Sequence, residues 1–196
     1  MLKVKEITLF REGNRVFATM DEEPCTLGCL YCFVETPGYK AVGNVGNQEG
    51  LSTLKYKVEE TDGVRILLPA HDIELFRVKD WYAKLLALAD LGLDTIVATK
   101  SSLKDKQITQ LVEIDKKLAE KGALLQIGVS IPRLDADETR AIELYTQPPA
   151  KRIATAQRLF EAGIATNIAI RPTLPLYQMK NMKNLSKERP PFAIAI

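Results

Sequence analysis

The chain has 196 residues, of which 46% are hydrophobic, and this length and composition fit one globular domain with a buried core. Its 27 Lys and Arg residues against 25 Asp and Glu leave a net charge of +2, which favours neither a nucleic-acid scaffold nor binding to an anionic membrane surface. No secretion signal is visible in MLKVKEITLF, and nowhere do about 18 apolar residues run together, so we expect a cytoplasmic protein without membrane contact.

The first predicted strand, from Arg15 to Thr19, leads into a loop that contains all three cysteines of the chain. The loop reads Cys25-Thr-Leu-Gly-Cys29-Leu-Tyr-Cys32. An odd number of clustered cysteines cannot pair off internally, so the pattern indicates metal ligands rather than a disulfide framework. Thiolates bind soft or borderline metals, and three of them leave a coordination position open for chemistry.

The next segments predict a parallel sheet built of βα units. A Gly- and Asn-rich stretch, 43–50, is expected to be a mobile loop; after about residue 64, short apolar runs alternate with helical patterns. Four further strands are predicted, at 64–68, 95–98, 124–129 and 165–170. Helices are predicted from Trp81 to the cap Gly92, over 105–120, and after a capping box at Asp135 and Glu138. A last helix is predicted from Pro149 to Gly163, with Ile153, Leu159 and Phe160 buried.

Five parallel strands with helices outside predict an α/β fold that forms a partial (βα) barrel. Such barrels carry their sites at the carboxyl ends of the strands. Beside the cysteines, the residues at these ends are His71, Asp72, Lys100, Ser101, Ser130 and Arg171. We expect these polar side chains to converge on one rim. From about residue 172 an irregular tail is expected, and its basic run leaves nucleic-acid binding open as an alternative.

Two kinds of metal site fit the cysteine spacing. A structural zinc site takes four protein ligands, and the only histidine, His71, follows the neighbouring predicted strand and would complete a Cys3His set. An iron–sulfur cubane held by three cysteines instead leaves one iron free for a small-molecule ligand. That asymmetry suits a catalytic cluster.

The spacing Cys25-x3-Cys29-x2-Cys32, with Tyr31 before the last cysteine, resembles the signature of the radical S-adenosylmethionine superfamily. The resemblance implies a [4Fe-4S] cluster on these cysteines and a (βα)6 partial barrel with the cluster loop after the first strand. It implies that the free iron chelates S-adenosylmethionine. One electron, from a donor such as flavodoxin or ferredoxin, then cleaves the sulfonium to a 5′-deoxyadenosyl radical that takes hydrogen from a substrate, here unknown.

Three segments are similar to the spore photoproduct lyase-like branch: Ala-Thr-Lys-Ser at 98–101, Gly-Val-Ser-Ile at 128–131, and the helix pattern over 148–163. The resemblance implies that Asp72, Lys100 and Ser130 contact S-adenosylmethionine and that Tyr31 lies near its adenine. A carboxylate suits the amino group, an ammonium the carboxylate, and a hydroxyl the ribose. Plainer roles stay open: helix capping by Asp72, a polar turn at Lys100, a backbone hydrogen bond from Ser130, and core packing by Tyr31.

The chain departs from this branch in two ways. The lyase uses a later cysteine to return a hydrogen atom, and no cysteine follows Cys32 here, so photoproduct repair is not implied. The pattern supplies about five of six βα units within a single domain, 1–196, so we expect either a shortened form of a longer enzyme or a partner chain that completes the barrel. The alternative function is a non-catalytic module, either a zinc Cys3His protein or a remnant that serves as an interaction protein.

Overall fold

The computed structural model describes residues 10–20, 25–35, 45 and 48–171. Within these ranges six strands form one sheet in the order β1 to β6, with β1 antiparallel to β2 and every other neighbouring pair parallel. The strands are β1 Phe10–Glu12, β2 Arg15–Phe17, β3 Ile66–Leu68, β4 Asp94–Thr99, β5 Leu125–Ser130 and β6 Ala165–Ala169. The predicted α/β fold with five parallel strands is confirmed, and β1 is an addition that the sequence patterns did not predict.

Helices connect the parallel strands. They are α1 Gln48–Glu59, α2 Trp81–Leu88, α3 Asp105–Ala119, α4 Ala136–Ile142 and α5 Pro149–Glu161, with 3-10 turns at Phe33–Glu35, Leu75–Arg77 and Ala89–Leu91. A connection between parallel strands has to cross back over the sheet, and a helix does so with its backbone hydrogen bonds satisfied. No helix in the described ranges is both long enough and apolar enough to span a bilayer.

The core lies between the sheet and the apolar faces of the helices. The predicted stripe of α3 is buried at Ile108, Leu111, Ile114 and Leu118. Full burial of one such side chain contributes about 1.5–3 kcal/mol. Gly122, at φ +73°, ends the helix by turning the chain so that the amide of Ala123 bonds to the Leu118 carbonyl at 3.0 Å. The buried apolar face of α3 therefore holds the helix against the sheet, and the turn at Gly122 leads the chain directly into β5.

Two expectations about helices were wrong. Residues 48–50 were expected in a loop, but they begin α1, in which Gly50 and Leu54 are buried against the core. In α5, Ile153 and Phe160 are 40% and 73% exposed, and of the predicted stripe only Leu159 is buried. The inner face of α5 instead carries Arg152, Thr155 and Ala156, so a buried guanidinium lies where an apolar side chain was expected.

The carboxyl ends of the parallel strands meet at one edge of the sheet. The register pairs Phe17 with Leu68 and Thr99 with Val129, so these strands end side by side. Residues 43–44, 46–47 and the tail from 172 lie outside the described ranges. The strand ends therefore form the framework on which the predicted site residues are carried.

Candidate functional site

The cysteine loop folds onto the segment that follows α4. Cys29 and Glu143 form an antiparallel bridge. The Leu30 amide donates to the Ile142 carbonyl at 2.9 Å, and the Tyr145 amide donates to the Leu27 carbonyl at 3.1 Å. These contacts are hydrogen bonds between backbone groups. They hold the cysteine loop against a segment more than 100 residues away in the chain.

Gly28 and Arg77 also stabilise the contact between the cysteine loop and the segment after α4. Gly28 has φ +61°, and a Cβ at this position would lie 3.0 Å from Cδ2 of Tyr145, so only glycine fits here without displacement of the ring. Arg77 donates one hydrogen bond to Oγ1 of Thr26 at 2.9 Å and another to the Tyr145 carbonyl at 2.8 Å. The guanidinium therefore connects the loop to its docking segment from the side of the 3-10 turn.

The three thiols differ in environment. Cys29 is buried, whereas Cys25 and Cys32 are partly exposed, and the Cys32 amide donates to the Cys29 carbonyl at 3.0 Å. Burial raises the pKa of the Cys29 thiol, with the Lys100 ammonium opposing it. Burial also raises the pKa of Cys32. Both shifts favour protonated thiols until a metal displaces the proton.

The donor chemistry of this loop fits an iron–sulfur cluster. Three thiols lie within eight residues, and an ammonium stands beside the buried one to offset anionic charge. Among the described residues, however, no three His, Cys, Asp or Glu side chains are arranged to hold a metal ion. The loop thus carries the ligand types without the converged ligand geometry.

Lys100, directly after β4, reaches the cysteine loop. Its Nζ lies 3.3 Å from Sγ of Cys29, 3.3 Å from Oε1 of Glu143 and 4.9 Å from the centre of the Tyr31 ring. Burial lowers the pKa of the ammonium, but Cys29 and Glu143 outweigh burial, so the pKa lies above its ordinary value. Lys100 is therefore a charged group aimed at the cysteine loop.

The end of β4 is fixed by a buried carboxylate. Glu74 is 5% exposed and accepts from the hydroxyl of Thr99 at 2.7 Å and from the Lys100 amide at 2.9 Å. Hydrogen bonds to an ionised acceptor are stronger than neutral ones. Glu74 therefore holds the backbone of Lys100 while its side chain extends toward Cys29.

Glu143 contacts most of the remaining polar side chains of the candidate site. It is 1% exposed and accepts a hydrogen bond from the Tyr31 hydroxyl. Its Oε2 lies 2.6 Å from Nη2 of Arg152, which is fully buried. Burial first, and then the adjacent Glu143 carboxylate, raise the pKa of the Tyr31 phenol far above its ordinary value. Tyr31, Lys100 and Cys29 are thus brought together around one carboxylate.

Asp72 follows β3 and Ser130 ends β5, on either side of β4, and the two make different contacts. Asp72, 5% exposed, lies 3.8 Å from Nδ1 of His71, and the ring of His71 packs against Phe17 and Phe33. Ser130 donates to the Arg171 carbonyl at 3.5 Å. The next helical turn, Leu75–Arg77, has Glu74 at its N-cap, so Asp72 does not occupy the capping position considered for it.

Sequence reasoning missed Glu143, Glu74 and Arg77. One signal for Glu143 was present: Arg152 falls on the inner face of α5 with Ala156 and Leu159. A guanidinium on a buried helical face requires a carboxylate partner, because an unpaired buried charge is strongly destabilising. The partner's position in the chain could not be read from that signal.

Comparison with known proteins gives no match to a family model and no match among curated protein sequences. Solved structures do match. SuiB of Streptococcus suis bound to S-adenosylmethionine has a TM-score of 0.56 at 17% identity, covering 87% of this chain and 37% of SuiB. Spore photoproduct lyase complexed with dinucleoside spore photoproduct has a TM-score of 0.57 at 16% identity, covering 82% of this chain and 46% of the lyase.

The chain has the fold of radical S-adenosylmethionine enzymes. SuiB is also similar in its complex with the precursor peptide SuiA, with a TM-score of 0.57 at 17% identity, covering 93% of this chain and 38% of SuiB. The chain therefore spans less than half the length of the radical S-adenosylmethionine enzymes cited here. The likeness extends to SuiB and to the lyase with nearly equal TM-scores, so it is a likeness of fold.

Proposed function

We propose that this chain forms the core of a radical S-adenosylmethionine enzyme in which Cys25, Cys29 and Cys32 hold a [4Fe-4S] cluster. The observation that carries the proposal is the 3.3 Å approach of the Lys100 ammonium to Sγ of Cys29 at the carboxyl edge of a parallel sheet. This contact joins the cysteine loop to the strand-end motif at one place. The three cysteines would hold the cluster, which when bound would supply one-electron chemistry for the reductive cleavage of S-adenosylmethionine.

The residues of this chain would bind and orient S-adenosylmethionine. Lys100 is charged and offers an ammonium to the methionine carboxylate, Asp72 a carboxylate to the amino group, and Ser130 a hydroxyl to the ribose. Tyr31 lies in the cysteine loop with its ring beside Lys100, which supports a place for it next to the adenine of the bound cofactor. These four assignments are supported by the placement of the residues at adjoining strand ends and in the loop above them.

The proposed chemistry defines the kind of electron donor but is compatible with more than one class of substrate. One similar structure holds a precursor peptide and another a dinucleoside photoproduct, so the shared fold does not select a substrate class. The chemistry requires a one-electron donor of low potential, such as flavodoxin or ferredoxin.

Anaerobic reconstitution with iron and sulfide tests the proposal. We expect about four irons per chain, from the stoichiometry of one cubane on three cysteines. Reduction with S-adenosylmethionine present should then yield 5′-deoxyadenosine, and Cys29→Ala should abolish both the cluster and the nucleoside. Tightly bound zinc with no nucleoside product would reject this function in favour of a zinc module.

A further inference from the structure

Glu143 has both carboxylate oxygens committed to different parts of the fold. Oε1 accepts from the Tyr31 hydroxyl and faces the Lys100 ammonium at 3.3 Å. Oε2 accepts from Arg152 at 2.6 Å and from the Thr146 hydroxyl at 3.3 Å. One buried carboxylate therefore links the cysteine loop and β4 to α5.

Arg152 fixes this carboxylate to the rigid part of the molecule. Its Nη1 donates to the Ser130 carbonyl at 2.9 Å, and its Nε donates to the Gln147 carbonyl at 2.5 Å. The guanidinium is planar, so these bonds and the pair with Glu143 restrict it to one orientation. The position of Glu143 is thus set by the end of β5 and by the first turn of α5.

Two cationic side chains contact Glu143, so positive charge exceeds negative charge among these three residues. Lys100 and Arg152 carry two positive charges, and Glu143 supplies one negative charge. The excess positive charge is on Lys100, the member of the group that faces Cys29. An excess cation in a buried site favours an anionic occupant, such as a thiolate-bound cluster or the carboxylate of a ligand.

We propose that Glu143, held by Arg152, is a positioning residue that orders the cysteine loop through Tyr31 and directs Lys100 toward Cys29 before any cofactor binds. The ordering of the loop stands on the protein contacts alone. The effect of Glu143 on a bound cluster rests on the function proposed above. The two parts therefore have separate tests.

Hydrogen exchange of the metal-free chain, followed by mass spectrometry, tests the ordering of the loop. In Glu143→Gln and in Tyr31→Phe we expect amides of residues 25–32 to exchange on the order of tenfold faster, because one charged or buried hydrogen bond is lost. Amides of β5 should keep their wild-type rate. Glu113→Gln is the control and should leave these rates unchanged, since Glu113 on α3 also accepts from a tyrosine hydroxyl, that of Tyr82 at 2.5 Å.

The outcomes separate positioning from general stability. Equal acceleration in the loop and in β5 would assign Glu143 a structural role only and overturn the proposal. Unchanged loop exchange in both variants would overturn it as well. If Glu143→Gln does not fold, Tyr31→Phe decides the question, because it removes a single hydroxyl and keeps the Glu143–Arg152 pair.

A redox titration of the reconstituted chain, followed by electron paramagnetic resonance, tests the second part. Glu143→Gln removes a negative charge near the cysteine loop, so we expect a positive shift of the cluster midpoint potential. Tyr31→Phe leaves the charge unchanged and should shift the potential less. An unchanged or lower potential in Glu143→Gln contradicts this part. Failure of the wild-type chain to take up a cluster rejects the proposed function, and hydrogen exchange still decides the positioning role.

Discussion

Arg152 shows what one residue contributes to this site. It is fully buried, and its guanidinium bonds to the Glu143 carboxylate and to the carbonyls of Gln147 and Ser130. A buried ion pair need not stabilise a protein more than apolar side chains of similar volume. Removal of one partner is different, because the other charge is then left buried without compensation.

We expect Arg152→Met to lower the free energy of unfolding by about 3–5 kcal/mol, because the buried Glu143 would keep only Lys100 as a cationic partner and two carbonyls would lose their donor. Arg158→Met, on the same helix, is the matched control: Arg158 is paired with Asp105, which is 98% exposed. Exposed ion pairs contribute about 0–1 kcal/mol, so the control should lose far less. Urea unfolding measures both, and equal losses would contradict the role given to burial.

Gly28 gives a second test at the scale of the residue. Gly28→Ala meets a strained backbone at φ +61° and also the ring of Tyr145 at 3.0 Å, whereas Gly13→Ala, at φ +59°, meets nothing within 4 Å. The left-handed backbone alone costs about 1–2 kcal/mol, and we expect Gly28→Ala to lose measurably more stability than Gly13→Ala. Urea unfolding compares the two. Equal losses would show that Tyr145 gives way freely and does not confine the loop.

At the scale of elements, α4 matters because Glu143 directly follows its last residue. The helix has only seven residues, and Asp135 caps it by accepting from the amides of Asp137 at 2.9 Å and Glu138 at 2.8 Å. A helix this short depends on its cap, because nucleation is unfavourable and few internal bonds repay it. The cap therefore supports the segment on which the cysteine loop docks.

We expect Asp135→Ala to destabilise the chain by about 1 kcal/mol, the usual loss for removal of an N-cap. Asp137→Ala is the control, since Asp137 lies in the first turn and its carboxylate should matter only through the helix dipole, by about 0.3–1 kcal/mol. Thermal or urea unfolding distinguishes them. A larger loss in Asp137→Ala would mean that charge, rather than the capping hydrogen bonds, begins α4.

The elements also show which features could be predicted from sequence. The stripe of α3 was predicted because four apolar residues recur at helical spacing. The helix α1 was missed because Gly50 indicated a loop, although Leu54 and Val58 continue a helical face behind it. In α5 the phase of the stripe was wrong, because the buried Arg152 was not counted on the inner face.

The residues of the candidate site likewise fall into those that local sequence patterns predicted and those that they missed. The cysteines and Lys100 were predicted because short local motifs carry them. Glu143 was missed because its partner Tyr31 is 112 residues away in the chain, and a pairing of that separation is set by the fold rather than by local spacing. The assignment of Tyr31, Asp72, Lys100 and Ser130 to the cofactor stays a prediction, as do the three cysteine ligands.

At the scale of the molecule, the parallel sheet explains why these distant residues meet. Every crossover returns the chain to the same edge, so the segments after β2, β3, β4 and β5 emerge side by side. The cysteine loop, Asp72, Lys100 and Ser130 are consequently carried at the ends of adjoining strands, although they span about half of the chain. A cofactor bound at this edge would contact several strands at once and should stabilise the whole fold.

A ligand that binds only the folded state raises its stability, so the stabilisation by the cofactor can be measured. In the cluster-loaded chain, S-adenosylmethionine at 100 times its Kd should stabilise the folded state by about 2.7 kcal/mol, which raises the Tm of a chain of this size by about 5–10 °C. Lys100→Met should reduce the shift, because it removes the ammonium expected to bind the methionine carboxylate, while Lys106→Met, an exposed position on α3, should leave it unchanged. Chain treated with iron chelator should show no shift, since the iron that holds the ligand is then absent. A full shift in Lys100→Met would place the cofactor away from β4 and contradict the assignment of this edge.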